Sequence, residues 1–271
     1  MNYDKYIDLI GEEKYKEATE YKSSCIPDVL YKYFWLDGTP CKDKQRLSTL
    51  KRGQIYLSSL DQFNDPFEGK AFVFTEDDTA PKGLRKEDCE DFVKQINERA
   101  GICCFANPDE KYQNMPMWAY YANNHQGFCV EYKMVPEQKK FIYPVSYDPF
   151  RAEGNAFIGN LIIGILQMIK EGKDASQMPG DVSVYNHLAY LSLTCKHESW
   201  RHEKEYRALV PKEYGKFFPA VPSKIYMGMN CPSKYEKVFL EIANSFKGCE
   251  LYRLRETSTD SRFYLKEEKI N

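Results

Sequence analysis

The chain has no excess of charge of either sign, no long apolar run, no C-x-x-C pair, and only four histidines and three tryptophans. Each shortage removes a class of function. Lys and Arg number 38 against 40 Asp and Glu, a formal charge of -2, so no global basic surface exists to hold nucleic acid or an anionic membrane. A partner of that kind would need a local patch. The nine cysteines, at 25, 41, 89, 103, 104, 129, 195, 231 and 249, are odd in number and unpaired in spacing. That argues against a disulfide framework and for reduced thiols in a cytoplasmic protein. The most apolar run, Phe157 to Ile169, contains Asn160 and Gln167 and is too short to span a bilayer, so it reads as a buried helix with no membrane partner. The opening stretch "MNYDKYIDLIGEEKYKEATEYK" carries acids where a secretory signal carries an apolar core. No internal repeat is visible, which removes solenoids and propellers.

What is present is aromatic and apolar bulk. With 21 Tyr, 16 Phe and 42% hydrophobic residues in 271, the chain can bury a sizeable core. The segment to about Lys22 reads as a polar helix. "IPDVLYKYFW", "QIYLSSL", "GICCFA", "FCVEY", "FIYPVSY", "YRALV", "KIYMGM", "CELYRLRE" and "RFYLKEE" read as strands from alternation and flanking turn residues. Leu84 to Ala100 and Ser233 to Gly248 carry helical stripes with terminal glycines. Two helical stretches are expected between Asn155 and Cys195, the second with Val184, Leu188, Leu191 and Cys195 on one stripe. The expected fold is therefore α+β, a mixed and mainly antiparallel sheet with flanking helices. Residues 1–271 form one domain in this reading, 23–150 and 196–271 supplying the sheet and 151–195 a helical insertion or lid.

Three stretches concentrate chemistry. In "KHESWRHEKEYRALV" an extended Glu203 to Val210 would project Glu203, Glu205 and Arg207 from one face and Tyr206, Ala208 and Val210 from the other. The two carboxylates would then lie about 7 Å apart along the strand. Were the stretch helical, Glu198, His202 and Glu205 would share a solvated stripe; Pro211 and the apolar alternation favour the strand. His197 and His202 stand five apart, where H-E-x-x-H ligands stand four apart, so no metal site is expected. "FNDPFEG" delivers Asn64, Asp65 and Glu68 on a turn directly after a strand, either as an Asx-turn or as part of a site. "MWAYYANNHQGFCVEY" crowds Trp118, Tyr120, Tyr121 and His125 into a helix and turn, as core or as the wall of a pocket for a planar ligand.

Taken in order, "LYKYF", "IYLSSLDQFNDPFEG", "GICCFA", "MWAYYANNHQGFCVEY" and "WRHEKEYRAL" resemble the bacterial family catalogued as domain of unknown function 2971, from about Leu30 to Met229. At a second level, the "YKY" strand, the helix feeding "YLSS" and the late E-x-E are similar to the ADP-ribosyltransferase plan. That similarity implies NAD as the bound nucleotide and a macromolecular acceptor. Lys32 or Tyr33 would stand at the first-strand position, Ser58 and Ser59 at the second, and Glu203 and Glu205 at the third. The family's Arg or His is missing from "LYKYF". Breaking the nicotinamide–ribose bond develops oxocarbenium charge, which a fixed carboxylate stabilises. On this plan Glu205 takes that role, Glu203 orients or deprotonates the acceptor, and Trp200 or Tyr33 stacks on the nicotinamide ring. The resemblance also implies a place in bacterial conflict or phage defence. Two other readings stand beside it. Asp65, Glu68, Glu203 and Glu205 could converge on Mg²⁺ in a nuclease with Lys196 or Lys204 assisting. Alternatively Arg207 could pair with Glu68 or Asp65 inside a non-catalytic interaction module.

Overall fold

The computed structural model describes residues 1–12, 14–76, 83–172, 191–258 and 261–271. Helices α1 (Tyr3–Gly11) and α2 (Tyr15–Ser24) precede β1 (Val29–Phe34), α3 (Pro40–Lys51) and β2 (Gln54–Tyr56). After a 3₁₀ turn at Leu60–Gln62 come β3 (Phe72–Val73), α4 (Lys86–Arg99), β4 (Ala100–Ala106), α5 (Met115–Tyr121), β5 (Phe128–Lys133) and α6 (Pro136–Lys139). The short strands β6 (Ile142–Pro144), β7 (Ser146–Asp148) and β8 (Ala152–Glu153) lead to α7 (Asn155–Lys170). Then follow β9 (Cys195–His197), a 3₁₀ helix at Glu198–Glu203, β10 (Glu205–Pro211), β11 (Phe217–Pro219), β12 (Pro222–Met227), α8 (Glu236–Asn244), β13 (Glu250–Glu256) and β14 (Leu265–Lys269).

Eight strands form the main sheet in the order β14-β13-β12-β5-β1-β4-β10-β6. Every pairing in it is antiparallel except β12 with β13. The class is α+β with a mixed, mainly antiparallel sheet, as the strand pattern implies. Alternation along β10 and its register with β4 sort the two faces. Tyr206 and Ala208 share a face with Leu30, Phe105 and Val130, covered by Leu47 and Leu50 of α3 and Phe239 and Ile242 of α8. On the opposite face lie two separate apolar clusters. One gathers Ile102 and Leu209 with Cys89, Val93 and Ile96 of α4 and Ile158 of α7; the other gathers Tyr31, Tyr33, Cys129 and Tyr226 with Met117 and Trp118 of α5. Glu205 and Arg207 belong to this face, in the seam between the two clusters.

Several expectations are corrected. The amino-terminal helix is two helices, and "FIYPVSY" divides at Val145 into β6 of the main sheet and β7, which pairs with β9. The apolar run 157–169 is a helix buried along one side only: Ile158 and Ile165 are covered, while Phe157, Leu166 and Ile169 are exposed. Its covered side rests on α4. Of the second helical stripe, Val184 and Leu188 lie outside the described residues, and Cys195 opens a strand rather than closing a helix. No helix among the described residues is long and apolar enough to cross a membrane. All nine cysteines are unpaired thiols.

Candidate active site

The sheet splits where β1 leaves β4. Alternate residues of a strand direct their backbone groups to the same neighbour, so Ile102, Cys104 and Ala106 all address the β1 side of β4. Ile102 exchanges both backbone hydrogen bonds with Ser58, at 2.8 and 2.9 Å. Ala106 pairs with Tyr31 of β1. Between them, on this side of β4, no strand among the described residues pairs with Cys104, whose carbonyl accepts from Lys32 Nζ at 3.0 Å. The gap opens into a cavity of about 310 Å³. β1 contributes Tyr31, Lys32 and Tyr33 to it, and the loop after β2 contributes Ser58, Phe63 and Asn64. Met117 and Tyr121 come from α5, and Lys196, Glu203 and Glu205 from the β9–β10 region.

Beneath that lining lies a buried five-charge network. Arg207, fully buried, grips Glu68 through Nη1 and Nη2 at 2.6 and 2.7 Å and Glu205 through Nε and Nη2 at 2.8 and 3.1 Å. Its remaining N–H donates to the Leu193 carbonyl, so all five guanidinium donors are engaged. Lys196 Nζ sits 2.6 Å from Glu203, 3.4 Å from Glu205 and 3.7 Å from Glu68. Tyr121 donates its hydroxyl to the other oxygen of Glu203 at 2.5 Å. Three carboxylates thus share two cations in a largely buried seam along the cavity wall.

The two carboxylates of E-x-E are pushed apart in acidity. Burial works against the ionisation of Glu205, but Arg207 and Lys196 outweigh it and bring its carboxyl down to about 2. Glu203 moves the other way: burial and the neighbouring charge of Glu205 raise it, against the pull of Lys196. Burial opposes the charge on Lys196 as well, yet Glu205 and Glu203 hold its ammonium above the usual lysine range. Burial, with Glu203 and Glu205 adding to it, pushes the Tyr121 phenol up, so that it stays a donor. A pair of acids tuned in opposite directions can hold a fixed charge at one position and exchange a proton at the other.

Glu203 and Glu205 do not lie on one strand face, as an extended stretch would have them. Glu203 ends the 3₁₀ helix, Glu205 starts β10, and Lys204 between them takes a left-handed conformation with φ 45°. For a non-glycine residue this costs on the order of 1 kcal/mol. Lys204 is tied by its carbonyl to Asn107 N–H and by Nζ to Glu110. The kink, not strand alternation, turns both carboxylates onto Lys196.

The "FNDPFEG" turn divides its labour. Asp65 Oδ1 accepts from Phe67 N–H at 2.9 Å in an Asx-turn, and Glu68 makes the pair with Arg207. Gly69 closes the turn at φ 71°, where a Cβ would meet Leu60 at 2.5 Å and Asn97 at 2.9 Å, so only glycine fits. Ser58 lines the cavity, whereas Ser59 precedes the 3₁₀ turn and lines a separate cavity beyond Phe63. Trp118 is fully buried behind Tyr33, edge-on to it at 5.2 Å, with its indole N–H on the Tyr112 carbonyl. His125 stacks on the same indole at 5.4 Å. Trp200 lies outside the cavity, one ring face under Lys196 Nζ at 4.6 Å.

His197 Nδ1 meets the Ser199 hydroxyl and His202 Nδ1 the Ser199 carbonyl, so both histidines serve local turns. Among the described residues no three His, Cys, Asp or Glu side chains are arranged to hold a metal ion. Both oxygens of Glu68 and of Glu205 accept from Arg207, those of Glu203 accept from Tyr121 and Lys196, and Asp65 Oδ1 serves its own turn, so the four carboxylates of the magnesium arrangement face protein donors and are not gathered on one point. Phe63, Cys104 and Met117 were not expected among the cavity residues. No local pattern marks them, since each reaches the gap from a different element.

The family model described as "Protein of unknown function (DUF2971)" matches residues 117–208. The match runs from α5 through the E-x-E-Y-R stretch and includes Tyr121, Lys196, Glu203, Glu205 and Arg207. No curated protein and no solved structure matches the chain significantly. The similarity to the ADP-ribosyltransferase plan thus rests on the residues alone.

Proposed function

We propose that the chain is an ADP-ribosyltransferase-like enzyme that holds NAD as substrate in the split of its sheet. One observation carries the reading: Lys32 and Tyr33 of β1, Ser58 after β2, and Glu203 with Glu205 line a single cavity, though they are far apart in sequence. A nucleotide of this kind joins an anionic phosphate to a cationic ring, and the cavity offers both complements, Lys32 for the anion and the Glu203–Glu205 pair for the cation. Glu205, held ionised by Arg207, stabilises positive charge developing at the ribose. In the step proposed, the bond from ribose C1′ to the nicotinamide nitrogen breaks and its electron pair leaves with nicotinamide. The acceptor hydroxyl or amine bonds to C1′, and its proton passes to Glu203, which burial and the charge of Glu205 make a stronger base than an ordinary glutamate. Tyr121 and Lys196 orient Glu203 for that transfer.

The test is nicotinamide release from NAD in the presence of protein and nucleic-acid acceptors, wild type against Glu205→Gln, with thermal melts of both. A drop of about 10²–10³ in release, the effect of losing one electrostatic stabiliser, measured at a temperature where the melts show both proteins folded, supports the reading. No release by wild type with any acceptor sinks it.

A second reading is favoured by the complete burial of Arg207: the network is a structural clamp in a non-catalytic interaction module. It expects Glu205→Gln to lower the melting temperature with no accompanying loss of a chemical activity.

A further inference from the structure

We infer that the open depression formed by Tyr120, Ser199, Trp200 and His202, joined to the cavity through Asn64, is a second subsite that takes a planar nucleobase. The inference rests on the nucleotide reading above and assigns the end of the ligand remote from the carboxylates.

Size is the first ground. At about 310 Å³ the cavity lies at the lower end of small-molecule pockets, which run from roughly 300 to 1,000 Å³. That is room for one nucleoside, and a dinucleotide has two. The remainder must leave through a rim residue, and Asn64 lines both the cavity and the neighbouring depression of about 480 Å³.

The second ground is what the depression is made of. Three of its five lining residues are aromatic rings: Tyr120, Trp200 and His202. Tyr120 is 56% exposed, so its ring face is open to a ligand. The shelf is also preorganised. His202 is pinned by Nδ1 to the Ser199 carbonyl at 3.1 Å, and Tyr120 and Trp200 flank its ring at 6.1 and 6.2 Å. Stacking on such a shelf tolerates any base because every base presents a π-face, and the exposed Asn64 amide can donate to and accept from a base edge or a phosphate.

The third ground is connection. Lys196, which holds Glu203 and Glu205, lies over the Trp200 ring at 4.6 Å, so one side chain touches both the carboxylate pair and the shelf. The larger cavity beyond Phe63, about 770 Å³, meets the network through Glu68, whose oxygens are held by Arg207, and not through Lys196. Phe63 and the buried Glu68–Arg207 pair form the partition, with Arg207 over the Phe63 ring at 5.3 Å.

Calorimetric titration of the full chain with NAD, AMP and nicotinamide mononucleotide tests the assignment. Trp200→Ala and the exposed Tyr120→Ala are each expected to weaken NAD and AMP on the order of 10-fold, the worth of one stacked base, and to leave nicotinamide mononucleotide within about twofold. Trp200→Phe should recover most of the loss. Glu203→Gln should show the reverse pattern, weakening nicotinamide mononucleotide and sparing AMP. If wild type binds all three and both shelf variants bind NAD and AMP as wild type does, the subsite is overturned while the nucleotide reading stands. If AMP binding is lost in the shelf variants but nicotinamide mononucleotide never binds, the base subsite stands and the carboxylate end of the reading falls. If no nucleotide binds the wild type, both fall.

Discussion

The two faces of β10 bury their side chains in opposite ways. Tyr206 and Ala208 enter a continuous apolar core, while Glu205 and Arg207, each one residue away, enter a largely buried seam of charge. On the apolar face each contact is interchangeable, since packing needs only volume and shape. On the charged face each group is committed to particular partners, because a buried charge without one is far more costly than a void. That contrast is why the seam is the better candidate for a site. A core needs no arginine with all five donors engaged, whereas a cavity that holds two neighbouring carboxylates shifted in opposite directions does.

The sharpest way to break the comparison is Arg207→Met, which keeps volume and removes charge. It strands Glu68 and Glu205 together and is expected to cost about 3–5 kcal/mol in urea unfolding. A cost below about 1 kcal/mol would mean that the seam behaves like the core. Adding Glu68→Gln and Glu205→Gln to Arg207→Met should recover much of the loss, since the stranded charges are then gone.

Acid titration of stability should expose the seam next. Glu205 is held down at about 2 in the folded chain against an ordinary 4.5. Its contribution is therefore present above pH 4.5 and lost as pH falls toward 2, about 3 kcal/mol across that window. Glu203, raised by burial, has the opposite sign and withdraws stability as pH climbs past 4.5. Denaturant midpoints across pH 2–7 should show a shallower acid limb in Glu205→Gln and a flatter neutral limb in Glu203→Gln; unchanged limbs in both would remove the seam from acid unfolding.

On the apolar face, Ala208→Val adds two methyl groups to a fully buried position and should cost about 1–3 kcal/mol by overpacking, with the acid limb unaltered. Tyr121→Phe should have the smallest effect, about 1 kcal/mol for one hydrogen bond to Glu203. Its signature under the enzymatic reading is a displaced pH profile of nicotinamide release; an unmoved profile would leave Tyr121 without a part in holding Glu203.

Much of this fold was legible in the chain. The alternation of "YRALV" predicts both faces of β10, "GICCFA" predicts β4, and the turn formers of "FNDPFEG" predict the loop that carries Glu68. The candidate site was legible as residue types and order, less so as geometry. Glu203 and Glu205 look like neighbours on a strand, yet they meet through a left-handed Lys204 whose conformation is held by Asn107 and Glu110, residues no local rule connects to it. Ser58 and Ser59 look equivalent, yet the single bridge to Ile102 sends one to the cavity and the next to the far side of Phe63. Asp65 and Glu68 look like alternative partners for Arg207, and the choice falls to Glu68 because Asp65 spends its carboxylate on its own turn.

By itself the amino-acid sequence determined the strands, the helical stripes, the near-neutral charge and the inventory of acids, bases and aromatics, all of which depend on interactions between residues a few positions apart. Only the tertiary structure decided where β1 parts from β4, which carboxylate Arg207 holds ionised, and that Trp200 stands on a shelf beside the cavity instead of within it. Those outcomes depend on strand register and on partners brought together from distant segments. In a largely buried seam the acidity of a carboxylate follows from which charges surround it and how little water remains, and local sequence specifies neither.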